Sequence, residues 1–165
     1  MSPFTRTATL LLAVTGSPAL GCPDANSSGF PIIGRLSLSA SYNIDPFKVS
    51  VLGGGASALR DCGLEAEGLT GYEGDGIIDV RPDVVLDWLG GGERLVFTVE
   101  NEADTLLVIR DPGGRWHFDD NSREHNPLIV LNEPETGEYV VFVGNHGTPP
   151  TSGPPGELII TETAP

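Results

Sequence analysis

Residues Asp104–Gly144 read DTLLVIRDPGGRWHFDDNSREHNPLIVLNEPETGEYVVFVG, and this stretch decides the fold. Four short apolar runs, Thr105–Ile109, Arg115–Phe118, Leu128–Leu131 and Glu138–Val143, are each of strand length and each closes on a Gly, Pro, Asn or Asp cluster. Asp111-Pro-Gly-Gly114 between the first two is a hairpin signal. Such punctuation, recurring about every ten residues, suits an antiparallel sandwich or barrel and leaves no room for crossover helices. No catalytic motif falls within it.

Working outward, Leu36 and Leu38 alternate with serines in Arg35–Ala40, the mark of a half-buried strand. Phe47, Val49 and Val51 alternate likewise in Phe47–Leu52, and Gly53-Gly54-Gly55 is expected to stop that strand and permit a bulge or tight bend. Residues 56–75 read as irregular, with at most a helical turn over Ser57–Asp61. Ile77–Val80 and Val84–Trp88 flank Arg81-Pro82-Asp83, and Gly90-Gly91-Gly92 precedes Leu95–Val99. The tail Thr148–Gly156 is too rich in Pro and Gly to predict regular structure, whereas Glu157–Thr161 reads as a last strand. The expectation is an all-β antiparallel sandwich of nine to ten strands over residues 32–161. A leader, 22–31, precedes it and a short tail, 162–165, follows.

The first 21 residues read as a secretory signal peptide. Arg6 supplies the positive region, Leu10–Val14 with Ala8 the apolar region, and Ala19 and Gly21 the small residues of a cleavage site. The apolar run is too short to span a bilayer. Cys22 and Cys62 are the two cysteines. In an oxidising compartment they are expected to pair, closing a loop worth about 4 kcal/mol in the chain-entropy model. A competing reading treats Ala19-Leu20-Gly21-Cys22 as a lipobox that tethers the chain through a lipidated Cys22. Secreted or periplasmic, or lipid-anchored through Cys22, are thus the two addresses.

Charge narrows the partners. Against 23 acidic residues stand nine basic ones, for a net −14. Such a surface repels nucleic acid and anionic lipid. It favours solubility and would attract divalent cations.

The densest set of oxygen donors is Asp119-Asp120-Asn121-Ser122, followed by Glu124 and Asn126. Calcium takes six to eight hard oxygens. Asp104, Asp119, Asp120 and Asn121 are the candidate ligands, Asp104 joining if the strands pair as read. The spacing is not that of an EF-hand, and the plainer account is that these side chains hydrogen-bond a turn. Trp116 and His117 precede the turn as candidate ligand-binding residues, since a tryptophan there could stack on a sugar ring. Trp116 shares a face with Phe118, however, as core aromatics do, and His117 is then expected to point outward.

Little else points to chemistry. His117, His125 and His146 are too scattered to predict a zinc site, and no Gly-x-Ser-x-Gly elbow or Cys–His pairing is present. Acidic pairs such as Glu133/Glu135 or Asp119/Asp120 are inevitable in so acidic a chain. The glycine clusters lack the helix and lysine of a phosphate loop.

The string DTLLVIRDPGGRWHFDDNS…NPLIVL…GEYVVFVG resembles secreted bacterial β-sandwich domains related to the pre-peptidase C-terminal domain. The resemblance is nearest to small exported proteins of alphaproteobacterial type. The features that carry it are Cys22-Pro23-Asp24, Gly53-Gly54, Cys62-Gly63, Pro82-Asp83, Asp104-Thr105-Leu106, Trp116–Asn121 and Gly137–Gly144. Relatives often have cysteine where Ala103 stands and another near the last strand. Loss of both leaves Cys22 and Cys62 as the natural pair. Their acidic turn is usually Asn-Asp-Asp, against Asp119-Asp120-Asn121 here. The resemblance implies a jelly-roll-like sandwich, sometimes calcium-stabilised, that accompanies secreted peptidases. It implies no catalysis.

The functional expectation is a non-catalytic exported binding or adhesion module whose ligand is a protein, peptide or polysaccharide. The alternatives are an accessory or inhibitory partner of a secreted peptidase, and a hydrolase using Asp119/Asp120 with Glu124.

Overall fold

The computed structural model describes residues 21–24, 30–64, 66–67, 76–147 and 151–163. The signal-peptide reading over 1–21 falls outside the described residues except for Gly21, as does much of the leader. Among the described residues twelve strands run in order: β1 (Gly34–Leu38), β2 (Phe47–Gly55), β3 (Ser57–Ala58), β4 (Ala66–Glu67), β5 (Ile77–Ile78) and β6 (Val84–Trp88). They continue with β7 (Arg94–Glu100), β8 (Thr105–Arg110), β9 (Trp116–Asp119), β10 (Leu128–Asn132), β11 (Gly137–Asn145) and β12 (Thr151–Thr161). A 3-10 turn, Leu59–Cys62, is the single helical element among the described residues.

Eight of these strands make a long hairpin rolled on itself. The antiparallel pairs nest from the outside in: β2 with β12, β6 with β11, β7 with β10, and β8 with β9. Rolling then adds β12 to β7 and β11 to β8. Two sheets result, with core orders β6-β11-β8-β9 and β10-β7-β12-β2. That is a jelly roll, the architecture expected. Strands β1 and β4 extend the first sheet at its two ends, and both pair in parallel, a departure from the antiparallel expectation.

The two sheets bury their apolar residues differently. In the β10-β7-β12-β2 sheet, Leu95, Phe97, Val99, Leu158, Ile160 and Ile129 face inward in strict alternation. They meet Leu86, Trp88, Leu107, Ile109, Tyr139 and Val141 of the opposing sheet. That opposing sheet has a second core on its far face, built from Val85, Leu106, Val108, Phe118, Val140 and Phe142. Leu59 and Leu64 cover this outer core. Its strands are therefore buried on both sides, as their near-continuous apolar runs demand. The covering segment is held by the Cys22–Cys62 disulfide, whose Cα atoms lie 5.4 Å apart. A sulfur in a disulfide carries no thioether, so the bridged form and a lipid anchor at Cys22 exclude each other.

Three local expectations change. Gly53–Gly55 does not end its strand: β2 runs through to Gly55. A Cβ on Gly53 would stand 2.7 Å from the Gly144 carbonyl oxygen, and one on Gly55 would collide with the Ile78 backbone. The glycines let β2 cross against β11 and β5 where the two sheets touch. Thr151–Gly156 is likewise strand and not loop. It pairs with β2 alone, since pairing to β7 begins at Glu157, and a register shift falls between Ser152 and Pro155. Prolines are tolerated on such a one-sided, bulged stretch because no ladder donor is lost. Within 56–75, residues read as irregular, Ser57–Ala58 and Ala66–Glu67 form short strand pairings.

Asp83 is a buried carboxyl at the start of β6. Its backbone N–H donates to the Val141 carbonyl at 2.8 Å, and its Oδ2 accepts the Val143 N–H at 2.7 Å. Burial pushes this group up to about 7; the Val143 hydrogen bond opposes the rise and the Asp79 charge adds to it.

Candidate functional site

The β8–β9 hairpin closes on Asp111-Pro-Gly-Gly114, and its first residue organises the turn. The Asp111 N–H donates to the Arg115 carbonyl at 2.9 Å, and the Gly114 N–H returns to the Asp111 carbonyl at 3.0 Å. The carboxylate accepts the Arg115 N–H at 2.9 Å, Arg115 Nε at 3.0 Å and His117 Nε2 at 3.0 Å. An ionised carboxylate has no proton to give, so Nε2 is the donor nitrogen of His117. Burial alone would push the Asp111 carboxyl up. The His117 bond, followed by the Arg115 backbone and guanidinium, outweighs it and holds the group below the ordinary carboxylate value.

His117 was expected outward and is buried instead, at 7% exposure. It pairs with Ile109 in the hairpin and faces the space between the sheets. Trp116 and Phe118 take the other face and join the outer core, Trp116 with its ring 6.0 Å from that of Phe142. Alternation correctly separates Trp116 from His117. With both faces of this sheet covered, neither face means solvent.

Between β9 and the edge strand β10 lies a cleft of about 370 Å³. Asp111, His117 and Tyr139 form its floor, and Arg115, Glu133 and Glu135 stand at its exposed rim. Asp119 lines it too, tied across to β10: its carboxylate accepts the Ser122 N–H at 3.2 Å, the Ser122 hydroxyl at 2.7 Å and the Leu128 N–H at 2.7 Å. The Tyr139 hydroxyl donates to the Glu135 carbonyl at 2.8 Å. Burial, with the Asp111 and Glu135 charges, pushes that phenol up to about 12. Among the described residues, no Ser, Thr, Cys or Lys lines the cleft. The arrangement can hold a ligand by charge, and β10 offers backbone along an edge that no described strand covers.

The four candidate calcium ligands divide. Asp119 turns to Ser122 and Leu128, whereas Asp120 approaches His146, with Oδ2 3.4 Å from Nε2. Asp104 lies by the same histidine, Oδ1 to Nε2 at 3.9 Å. Asn121 is exposed in the turn. The adjacent Asp119 and Asp120 thus do not flank one site as a hydrolase pair would.

Sequence reasoning missed Asp111, Arg115 and His146. Asp-Pro-Gly-Gly followed by Arg and His does carry a usable signal, since a turn aspartate can reach donors four and six positions on. His146 carries no such local sign, because its neighbours arrive from other strands.

No protein-family model matches the chain, and no curated protein matches it. Among solved structures, similarity extends to an Aeromonas hydrophila protein, PliG, a periplasmic lysozyme inhibitor of g-type lysozyme. The TM-score is 0.35 and the identity 10%, over 78% of this chain and 97% of that one. The jelly-roll assignment stands on strand order, independently of that likeness.

Proposed function

We propose that the protein is an exported, non-catalytic binding module that holds an extended, basic segment of a partner protein in the cleft between β9 and β10. The observation that carries this reading is the uncovered β10 edge beside a rim bearing Glu133 and Glu135. An edge strand can pair with an incoming extended peptide through its backbone. A rim whose two carboxylates outnumber the Arg115 guanidinium, 3.8 Å from Glu135, on a chain of net charge −14 favours a cationic one and speeds its approach. Asp111 and His117 of the floor bond each other and the Tyr139 hydroxyl bonds the Glu135 carbonyl, which suits a rigid platform. A secreted peptidase, the partner class implied by the family resemblance, belongs here as one source of such a segment.

Fluorescence anisotropy with a labelled oligoarginine peptide tests the site. Binding is expected at low salt, weakening as salt rises, and a Glu133→Gln/Glu135→Gln double variant should lose several-fold in affinity. A Glu93→Gln/Glu102→Gln variant of equal net charge should bind like the parent. Equal losses in the two double variants would show diffuse attraction to an acidic surface and defeat the proposal.

A further inference from the structure

We propose that two copies of this chain associate through β1, the two β1 strands pairing antiparallel across a two-fold axis so that the first sheet runs on from one copy into the other. Strand β1 ends that sheet, bonded to β6 on one side, and no described strand covers its other side. Its attachment to β6 extends past the strand at both ends. The Ile32 and Ile33 N–H groups donate to the Pro82 and Asp83 carbonyls at 2.8 and 2.9 Å, and the Ala40 N–H to the Gly90 carbonyl at 3.1 Å. The Leu38 carbonyl accepts the Leu89 N–H at 2.8 Å. Leu38 and Ala40 thus address β6, and by alternation the backbone groups of Arg35 and Ser37 turn outward.

Two observations choose a second copy as the occupant. The first is charge. Of the 23 acidic residues, the span 25–60 holds one, Asp45, against Arg35, Lys48 and Arg60. A chain of net −14 repels its own copy over most of its surface, and this acid-poor side is where two copies can approach. Exposed edges are ordinarily guarded by charge, proline or a bulge. The one charge on β1 is Arg35, and it is balanced within the chain by Asp87 at 2.6 Å and Glu138 at 2.9 Å. A two-fold axis through Leu36 sets Arg35 of each copy opposite Ser37 of the other, so like charges do not meet across the ladder.

The second observation is apolar exposure. Among the described residues eight large hydrophobic side chains are exposed, and half of them border this edge. Phe30, Ile32 and Ile33 lead into β1, and Leu89 is bonded to its far end. The β10 edge, beside Glu133 and Glu135, has the opposite character, and this inference does not depend on the cleft there.

Sedimentation velocity of the full chain across a concentration series tests the proposal. A reversible dimer is expected, with a dissociation constant on the order of micromolar because one strand edge buries little area. It should tighten as salt screens the acidic surfaces, the reverse of the peptide response expected at β10. Ser37→Pro removes an outward N–H without touching the bonds to β6 and should weaken the dimer roughly tenfold or more. Ser37→Lys sets a cation against Arg35 of the other copy and should weaken it as well, and circular dichroism checks that both variants fold. Val130→Lys, on β10, should dimerise as the parent does. In the parent, hydrogen exchange of the Arg35 and Ser37 amides should slow as concentration rises. A parent that stays monomeric up to millimolar concentration, or whose Arg35 and Ser37 amides exchange at the same rate in the dimer, would overturn the proposal. So would a dimer untouched by both Ser37 variants, as the apolar segment before Gly21 could produce, or one abolished by Val130→Lys.

Discussion

The two sheets of this jelly roll solve the same problem under different constraints. The β10-β7-β12-β2 sheet sends Leu95, Phe97, Val99, Leu158 and Ile160 into the shared core by alternation, while its other face mixes buried Val96, Thr98 and Ile159 with exposed Lys48 and Val130. The β6-β11-β8-β9 sheet carries continuous runs, Leu106–Ile109 and Tyr139–Val143, because a separate segment covers its outer face. A covering segment with little secondary structure contributes few backbone bonds of its own. The disulfide supplies the constraint that a third layer of helix or strand would otherwise provide.

If the outer core is a true core, Phe142→Ala should cost about 3–5 kcal/mol, as much as Phe97→Ala in the inter-sheet core. Urea unfolding measures both, and a Phe142 penalty near that of a surface substitution would reduce the outer cluster to a decoration. Replacing both cysteines by serine should cost about 2–4 kcal/mol. Hydrogen exchange should then quicken in residues 56–64 and at the outer face while β7 and β12 stay protected. Uniform quickening would mean that the two sheets share one cooperative unit.

Gly53→Ala probes the place where the sheets touch. Its new methyl meets the Gly144 carbonyl, so a loss of about 1–3 kcal/mol is expected in the melting or urea midpoint. The smallest effect concerns Asp83 and depends on pH. Its folded-state value, about 7, lies above the ordinary 3.8, so the folded protein binds this proton more tightly than the unfolded chain. Stability from this group is full at low pH and is lost as pH rises from about 4 to about 7. Asp83→Asn keeps an acceptor for the Val143 N–H and removes the buried charge. It should stabilise by roughly 1 kcal/mol at pH 8, less than the whole shift, and lose that advantage at pH 4. Melts at the two pH values check the sign.

Much of the fold was legible in local pattern. The four strands read in Asp104–Gly144 lie where the structure has β8, β9, β10 and β11, and the Asp-Pro-Gly-Gly turn joins the first two. The misreadings share a cause. Gly53–Gly55 and Pro154–Pro155 look like punctuation when judged by propensity. Each instead sits where a neighbouring backbone comes too close for a side chain or where pairing is one-sided, conditions set by distant residues. The site divides in the same way. Asp119 in its turn was readable, since its donors lie within nine positions. The approach of His146 to Asp104 and Asp120 spans 42 and 26 positions, and only strand register creates it.

The sequence by itself determined that this chain is a rolled set of strands, because side-chain alternation and turn chemistry are local and survive without any partner. Tertiary structure alone decided which of two covered faces His117 occupies, where β2 ends, and which acidic residues meet. Those outcomes depend on what packs across a sheet from residues far along the chain, and no window of sequence contains both sides of that contact.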